Sequence, residues 1–349
     1  MLDIYAGRKA QMTIAREGIK PELFSSFLGA SGGPKWFSLF GLDKYIFGEF
    51  FKQRQQTLSM LGSSAGAFRI ACFAQKDPVA AISRLAQYYS ETVYSANADA
   101  EEISSKARVL LTEVLGKKGC REIIHNPVFH AHFVVARTKG LVASERKLLQ
   151  LAGLLSSYAF NRIDRKLLRN QYDRYVFQHP ASTLSFEDPA GFNTHRITLT
   201  PDNLADALLA SGSIPMVMQG ITDIPGGARG MYRDGGIIDY HFDLKINSGE
   251  GLCLYPHFSA SPKAGWFDKK LARTVHPDNY ANIVMLVPSA EFIARLPYGK
   301  IPDREDFTQL DAAERIRYWK TVLAETERLA DAFAQFIHAP QYKFIKAID

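Results

Sequence analysis

The sequence predicts an α/β fold in which helices flank a mostly parallel central sheet. Three observations predict it. Short apolar runs of strand length recur along the chain without strict alternation, as in strands covered on both faces. Helix-period stretches alternate with them. Several runs end in glycine- or proline-containing turns, where one element hands over to the next. With 349 residues, 46% hydrophobic and 22% charged, the chain can bury a core without disulfide staples. No repeat, low-complexity tract or linker marks a boundary, so residues 1–349 are read as a single domain.

In chain order, Leu23–Leu28 reads as a buried strand ending in the turn Gly29-Ala30-Ser31-Gly32-Gly33-Pro34-Lys35-Trp36. Phe37–Phe51 reads as a helix with Leu39, Phe40, Leu42, Tyr45, Ile46, Phe50 and Phe51 on its apolar face. Thr57–Leu61 is a second strand, running into Gly62-Ser63-Ser64-Ala65-Gly66-Ala67 and then helix to about Ala74. Val128–Ala136 is a third strand, and Leu148–Tyr175 a leucine-rich, basic helix. Arg196–Leu199 is a strand and Asn203–Ala210 a helix. Met231–Arg233 is extended and leads into Asp234-Gly235-Gly236. Leu252–Tyr255 and Ile283–Val287 are short strands ending near Pro256 and Pro288. A long amphipathic helix closes the chain, with Leu310, Ile316, Trp319, Val322, Leu323, Leu329, Phe333 and Phe336 at helical spacing.

Composition excludes some classes. The net charge of +6 and pI of about 9.0 permit an anionic partner, but the charges are dispersed and no nucleic-acid recognition motif accompanies them. Cys72, Cys120 and Cys253 are widely spaced, odd in number and outside any CxxC pair; they read as reduced thiols of a cytoplasmic protein. The first 20 residues carry charges throughout and no signal-peptide core. No stretch of about 20 apolar residues could span a membrane. His130 and His132 sit at strand spacing on one face without an identifiable third ligand, so no metal is expected.

Three segments could carry chemistry. Gly62-Ser63-Ser64-Ala65-Gly66 is a GxSxG between a strand and a helix. A serine on so sharp a turn projects its hydroxyl clear of the backbone, and the next helix aims its free N–H groups at the site. The turn Gly29–Trp36 can offer backbone N–H groups to a developing oxyanion. Pro34 has no N–H, so the donors there are Gly32, Gly33 or Lys35. The turn has neither P-loop nor dinucleotide-fingerprint spacing, and no cofactor is expected. Asp234-Gly235-Gly236 is either a hairpin turn or an aspartate aimed at a neighbouring hydroxyl.

The order glycine-rich loop, GxSxG, then DGG resembles the patatin-like phospholipase family. Gly32-Gly33-Pro34-Lys35 is similar to the family's oxyanion loop, with Lys35 its basic member. Ser64 falls on the nucleophile of GxSxG and Asp234 on the acid of DG[GA]. Ala210-Ser211-Gly212-Ser213-Ile214-Pro215 is similar to a pattern that closes a family helix. Ser31 and Trp36 depart from the family's glycines. The resemblance spans about residues 23–240, with a helical extension over about 305–337.

It implies a patatin-like three-layer fold and a serine acyl hydrolase that cleaves fatty-acyl esters through an acyl-enzyme. Ser64 and Asp234 would form the dyad, Gly32 and Gly33 the oxyanion site. Lys35 would brace the loop or meet a lipid phosphate. The implied partner is a lipid or acyl ester, with peripheral contact at a membrane surface. The rival enzymatic reading is an α/β-hydrolase triad, for which His241 and His257 are the candidates that follow Asp234. A non-catalytic lipid-binding protein on the same fold is the third. The stretch Leu148–Tyr175 is expected either to dock on lipid or to pack on the core with a solvated basic face.

Overall fold

The computed structural model describes residues 1–247 and 251–348. Its strands are Leu2–Ala6 (β1), Phe24–Gly29 (β2), Leu58–Ser63 (β3), Phe129–Thr138 (β4), Tyr172–Gln178 (β5), Ser185–Glu187 (β6), Thr194–Thr198 (β7), Ile221–Thr222 (β8), Met231–Asp234 (β9), Lys245–Asn247 (β10), Leu252–Pro256 (β11), Ile283–Pro288 (β12) and Lys346–Ala347 (β13). Eleven form one sheet in the order β13-β1-β12-β11-β2-β3-β4-β5-β7, with β9 on β4 and β8 on β9; β6 and β10 pair separately. The five central strands β12-β11-β2-β3-β4 are parallel. Every residue of β3 and β12 is buried, which requires cover on both faces.

One register relationship builds the centre of the molecule. β3 pairs with the first part of β4 and ends with Ser63 opposite Val134. From the next residue, β9 runs antiparallel along β4, with Asp234 opposite Val135. β5 already pairs with His132–Thr138 of β4, so β3 and β9 share the opposite edge, end to end. The C-terminal ends of β3 and β9 therefore meet.

Behind β2 and β3 lies an aromatic core. Phe47 stacks on Phe73 at 3.9 Å, and Phe27 packs edge-on against both. The stretch expected as one helix over Phe37–Phe51 changes pitch twice: 3₁₀ over Gly33–Leu39, α over Phe40–Tyr45 and π over Ile46–Phe50. The wide last turn carries Phe47 and Phe50 into this core.

Two expectations are corrected. The helix expected over Leu148–Tyr175 ends at Ile163; Asp164 caps a 3₁₀ turn over Arg165–Asn170, and Tyr172–Gln178 is β5. The aromatic and β-branched run Tyr172-Asp173-Arg174-Tyr175-Val176-Phe177 favours a strand, and pairing with β4 decides it. The long C-terminal helix is two helices, Ala312–Glu325 and Glu327–His338. They part at Thr326, whose hydroxyl accepts the Gly41 N–H at 2.9 Å and donates to Leu323 O. A side chain at Gly41 would overlap the Thr326 carbonyl, so only glycine lets the break seat there.

Helices not anticipated from sequence cover the site. Pro78–Glu91 starts on an Asp77 cap and Ala100–Leu115 on an Asp99 cap.

Candidate active site

Ser64 sits between β3 and the helix Ala65–Phe73 with φ 53° and ψ −128°, a left-handed conformation rare for a residue with a side chain. The neighbouring glycines make that turn possible. A Cβ on Gly66 would lie 1.8 Å from Gly29 O, and one on Gly62 would lie 2.6 Å from Gly66 O. The ends of β2 and β3 and the first turn of the helix therefore touch backbone to backbone. The strain is held from outside: Ser64 N–H donates to Ser211 Oγ at 2.9 Å, and Ser211 Oγ–H donates to Val134 O at 2.7 Å.

The same Ala210–Pro215 segment positions the aspartate, since Asp234 N–H donates to Ser213 O at 3.0 Å. Ser64 Oγ–H then donates to Asp234 Oδ2 at 2.8 Å. The other carboxylate oxygen accepts the Gly236 N–H at 2.7 Å, which fixes its rotation. Ser64 is 3% exposed and Asp234 6%. Burial pushes the Asp234 carboxyl above the ordinary carboxylate range; Arg304, the Gly236 N–H, the Ser64 hydroxyl and Lys269 oppose that rise. A carboxylate so placed is a stronger base toward the hydroxyl it touches than one in water.

Gly33 and Ser64 line one cavity; Gly33 has φ 57°, and among the described residues its N–H makes no turn, loop or cap bond to another backbone group. Gly32 lies behind it, where a side chain would strike the Phe258 ring. Lys35 turns away and pairs with Asp303. The departures from the family pattern are accommodated. Ser31 Oγ–H donates to Ser63 O at 3.2 Å, and buried Trp36 packs edge-on against Phe40 and Tyr89.

The cavity has a volume of about 360 Å³ and an apolar lining that includes Trp36, Phe68, Leu85, Tyr89, Leu110 and Phe307. Ser64 is part of its wall, to which the two unanticipated helices contribute Leu85, Tyr89, Ile103 and Leu110.

Two cations were missed in the sequence. Arg304 lines the Ser64 cavity and a smaller space beside Asp234, and its Nε lies 2.7 Å from where a Cβ on Gly33 would be. Lys269 lies over the Tyr240 ring at 4.1 Å and lines the same smaller space as Asp234; desolvation, and then Arg304, push its ammonium down to about 8. Both stand beyond the segments that carry the motifs and have no local pattern of their own; only the fold returns them to the site.

The candidate triad histidines are elsewhere in the hydrogen-bond network. His241 Nδ1 accepts Lys263 N–H at 2.9 Å and His257 Nδ1 accepts Ser259 N–H at 2.9 Å. Their rings meet at 4.3 Å, and burial holds His257 down to about 3 and His241 well below its usual value. His132 bridges Met60 O and Ser182 Oγ, while His130 stacks on His179 at 3.9 Å. No group of three or more metal-ligating side chains assembles among the described residues.

The sequence pattern of the patatin-like phospholipase family matches residues 30–241, more than half of the chain. The chain belongs to this family. The match takes in the glycine-rich loop, Ser64 and Asp234 and stops before Lys269 and Arg304. Family membership implies a lipid acyl hydrolase on a mixed α/β fold with a large, mostly parallel sheet. No curated protein sequence matches the chain. Among solved structures, VipD from Legionella pneumophila is similar at 12% identity and TM-score 0.39, over 89% of this chain and 67% of that one. Human GIVD cytosolic phospholipase A2 is similar at 12% identity and TM-score 0.41, over 99% and 65%. The type III effector protein ExoU is similar at 13% identity and TM-score 0.27, over 89% and 54%. The chain thus spans about two thirds or less of the length of these three proteins.

Proposed function

We propose that this patatin-like chain is a single-domain acyl hydrolase that cleaves fatty-acyl esters of lipids with a Ser64–Asp234 dyad. The observation that carries the reading is the 2.8 Å hydrogen bond from Ser64 Oγ to Asp234 Oδ2 in the wall of an apolar cavity. The fatty-acyl chain occupies that cavity, which places the ester carbonyl at Ser64.

Ser64 Oγ attacks the carbonyl carbon as its proton passes to Asp234 Oδ2. The Gly33 N–H, with that of Gly32 behind it, donates to the oxyanion, and Arg304 adds a positive charge beside it. Collapse of the tetrahedral intermediate breaks the ester bond, and the leaving alcohol takes the proton from Asp234. Water then attacks the acyl-enzyme, giving its proton to Asp234, and the acid departs as Ser64 recovers its hydrogen. Lys35 serves this site through Asp303, by bracing the loop that presents Gly33.

The test is a panel of acyl esters varied in headgroup and chain length, run with wild type and Ser64→Ala. Wild type hydrolyses long-chain esters, and Ser64→Ala loses turnover by a factor on the order of 10⁶ with its fold intact. Equal turnover by the two proteins refutes the assignment; lipid binding without turnover by wild type supports a non-catalytic lipid-binding protein instead.

A further inference from the structure

The helix Lys147–Ile163 is inverted relative to an ordinary surface helix. Its buried positions are Gln150, Gly153, Ser157 and Asn161, one polar or small stripe at helical spacing. That stripe is hydrogen-bonded into the protein. Gln150 Oε1 accepts Met216 N–H at 2.7 Å, Ser157 Oγ lies 2.8 Å from Tyr172 OH, and Asn161 Nδ2 donates to buried Asp268 at 2.8 Å. Gly153 leaves room for Val142, whose N lies 2.6 Å from where a Cβ would stand. The opposite face carries Leu148, Leu151, Leu155 and Ile163, and Leu148 is 82% exposed, Leu155 61% and Ile163 77%. The helix is thus packed on the protein with its basic residues solvated, one of the two arrangements expected from sequence, but the solvated face is apolar as well as basic. Arg165, just beyond the helix, is buried against Asp268 and donates to Ile238 O.

We propose that this outer face is the surface on which the protein docks to an anionic lipid bilayer. Two features select that occupant. The apolar stripe is bracketed by exposed cations, Arg146 and Lys147 at one end and Arg162, Lys166 and Arg169 at the other, the pattern that inserts apolar side chains while basic ones meet anionic headgroups. The helix is also tied to a wall of the Ser64 cavity. The Gln150–Met216 hydrogen bond ties the helix to the segment Ile214–Met218, in which Met216 and Val217 are exposed and Ile214, Val217 and Met218 line the cavity. A bilayer seated on the helix would therefore lie close to the exposed Met216 and Val217, in a segment that lines the cavity. This inference rests on the lipid-ester reading of the site.

The test separates docking from chemistry. Wild type and Leu148→Glu/Leu155→Glu are sedimented with vesicles of phosphatidylcholine alone or with 30% phosphatidylglycerol (about one anionic lipid in three, enough to recruit a basic segment). Hydrolysis of a soluble short-chain ester is measured in parallel. The proposal expects wild type to sediment with the anionic vesicles, less so at high salt, and the double variant to lose at least ten-fold in partitioning with unchanged hydrolysis of the soluble ester. A second variant, Lys147→Glu/Arg162→Glu, should abolish the preference for anionic vesicles. Wild type that ignores vesicles, or a double variant that binds them equally, overturns it. So does a wild-type dimer that the double variant converts to monomer, since a second copy would then cover the face. Vesicle binding lost on substitution, with no ester hydrolysis by wild type, leaves the docking surface standing and removes the catalytic reading.

Discussion

Ser63 and Asp234 occupy consecutive places on one edge of the same strand, opposite Val134 and Val135. Two strands that run in opposite directions end against each other there, so the residue after Ser63 and the last residue of β9 meet at 2.8 Å. The base is held by sheet register as well as by its loop, an arrangement that leaves little freedom for the hydrogen bond to open. Asp234→Asn should therefore remove hydrolysis almost as fully as Ser64→Ala, while His241→Gln and His257→Gln, singly or together, retain most of it. Steady-state assays on folded variants check this; a histidine variant as inactive as Ser64→Ala would establish a triad.

The acid side of the pH profile should report Asp234. It accepts a proton only when ionised, so the rate rises as pH climbs through its raised value. Arg304 favours the ionised form, and Arg304→Met should move the acid limb of kcat/KM to higher pH while Arg304→Lys keeps it near the wild-type position. A pH–rate profile of the three proteins decides. An unmoved limb in Arg304→Met would show that the charge does not reach the dyad.

The same shift has a stability consequence of opposite sign to activity. A carboxyl raised on folding adds stability in its protonated form, in full below its unfolded value, and that stability is lost as pH rises through the folded value. Asp234→Asn keeps an acceptor for the Gly236 N–H and carries no buried charge. The variant should melt at a higher temperature than wild type at neutral pH, with the gap closing in acid. Thermal unfolding across pH measures both.

Gly33→Ala should slow turnover on the order of 10²-fold. The N–H remains, but alanine at φ 57° costs about 1–2 kcal/mol, and its Cβ would lie 2.7 Å from Arg304 Nε. Adding Arg304→Ala removes the collision and leaves the backbone cost, so a double-mutant cycle in kcat should show strong coupling between the two positions. Additive effects would place Arg304 outside the oxyanion region.

Ala107→Trp fills part of the apolar cavity. Long-chain esters should lose much of their kcat/KM while short-chain esters keep theirs, because only the former need the full depth. An equal loss for both would move the acyl chain to another path.

Asp43→Asn should destabilise the fold by about 3–5 kcal/mol, because it strands a buried charge. Asp43 takes two bonds from Arg69, at 2.8 and 2.6 Å, and both side chains are fully buried. The pair locks the helix that follows Ser64 to the helix that follows the glycine-rich loop. Denaturant unfolding gives the value.

The parts of this protein legible in its sequence are those decided by neighbours along the chain. Leu58–Ser63, the turn at Ser64 and the helix Ala65–Phe73 are one local transition, readable because glycine is required on both sides of the serine. The buried parallel strands showed themselves as unbroken apolar runs, and the order of the three glycine-containing segments pointed to the family. Long-range effects were not legible. Tyr172–Tyr175 reads as the end of a helix until β4 supplies a partner, and the closing helix reads as continuous until Gly41 meets Thr326. Arg304 and Lys269 carry no signal in their own segments, because their role comes from proximity to Gly33 and Asp234 rather than from spacing. The helix Lys147–Ile163 shows why periodicity alone falls short. Helical spacing separates an apolar face from a polar one, but only the buried partners of Gln150, Ser157 and Asn161 decide which face turns inward.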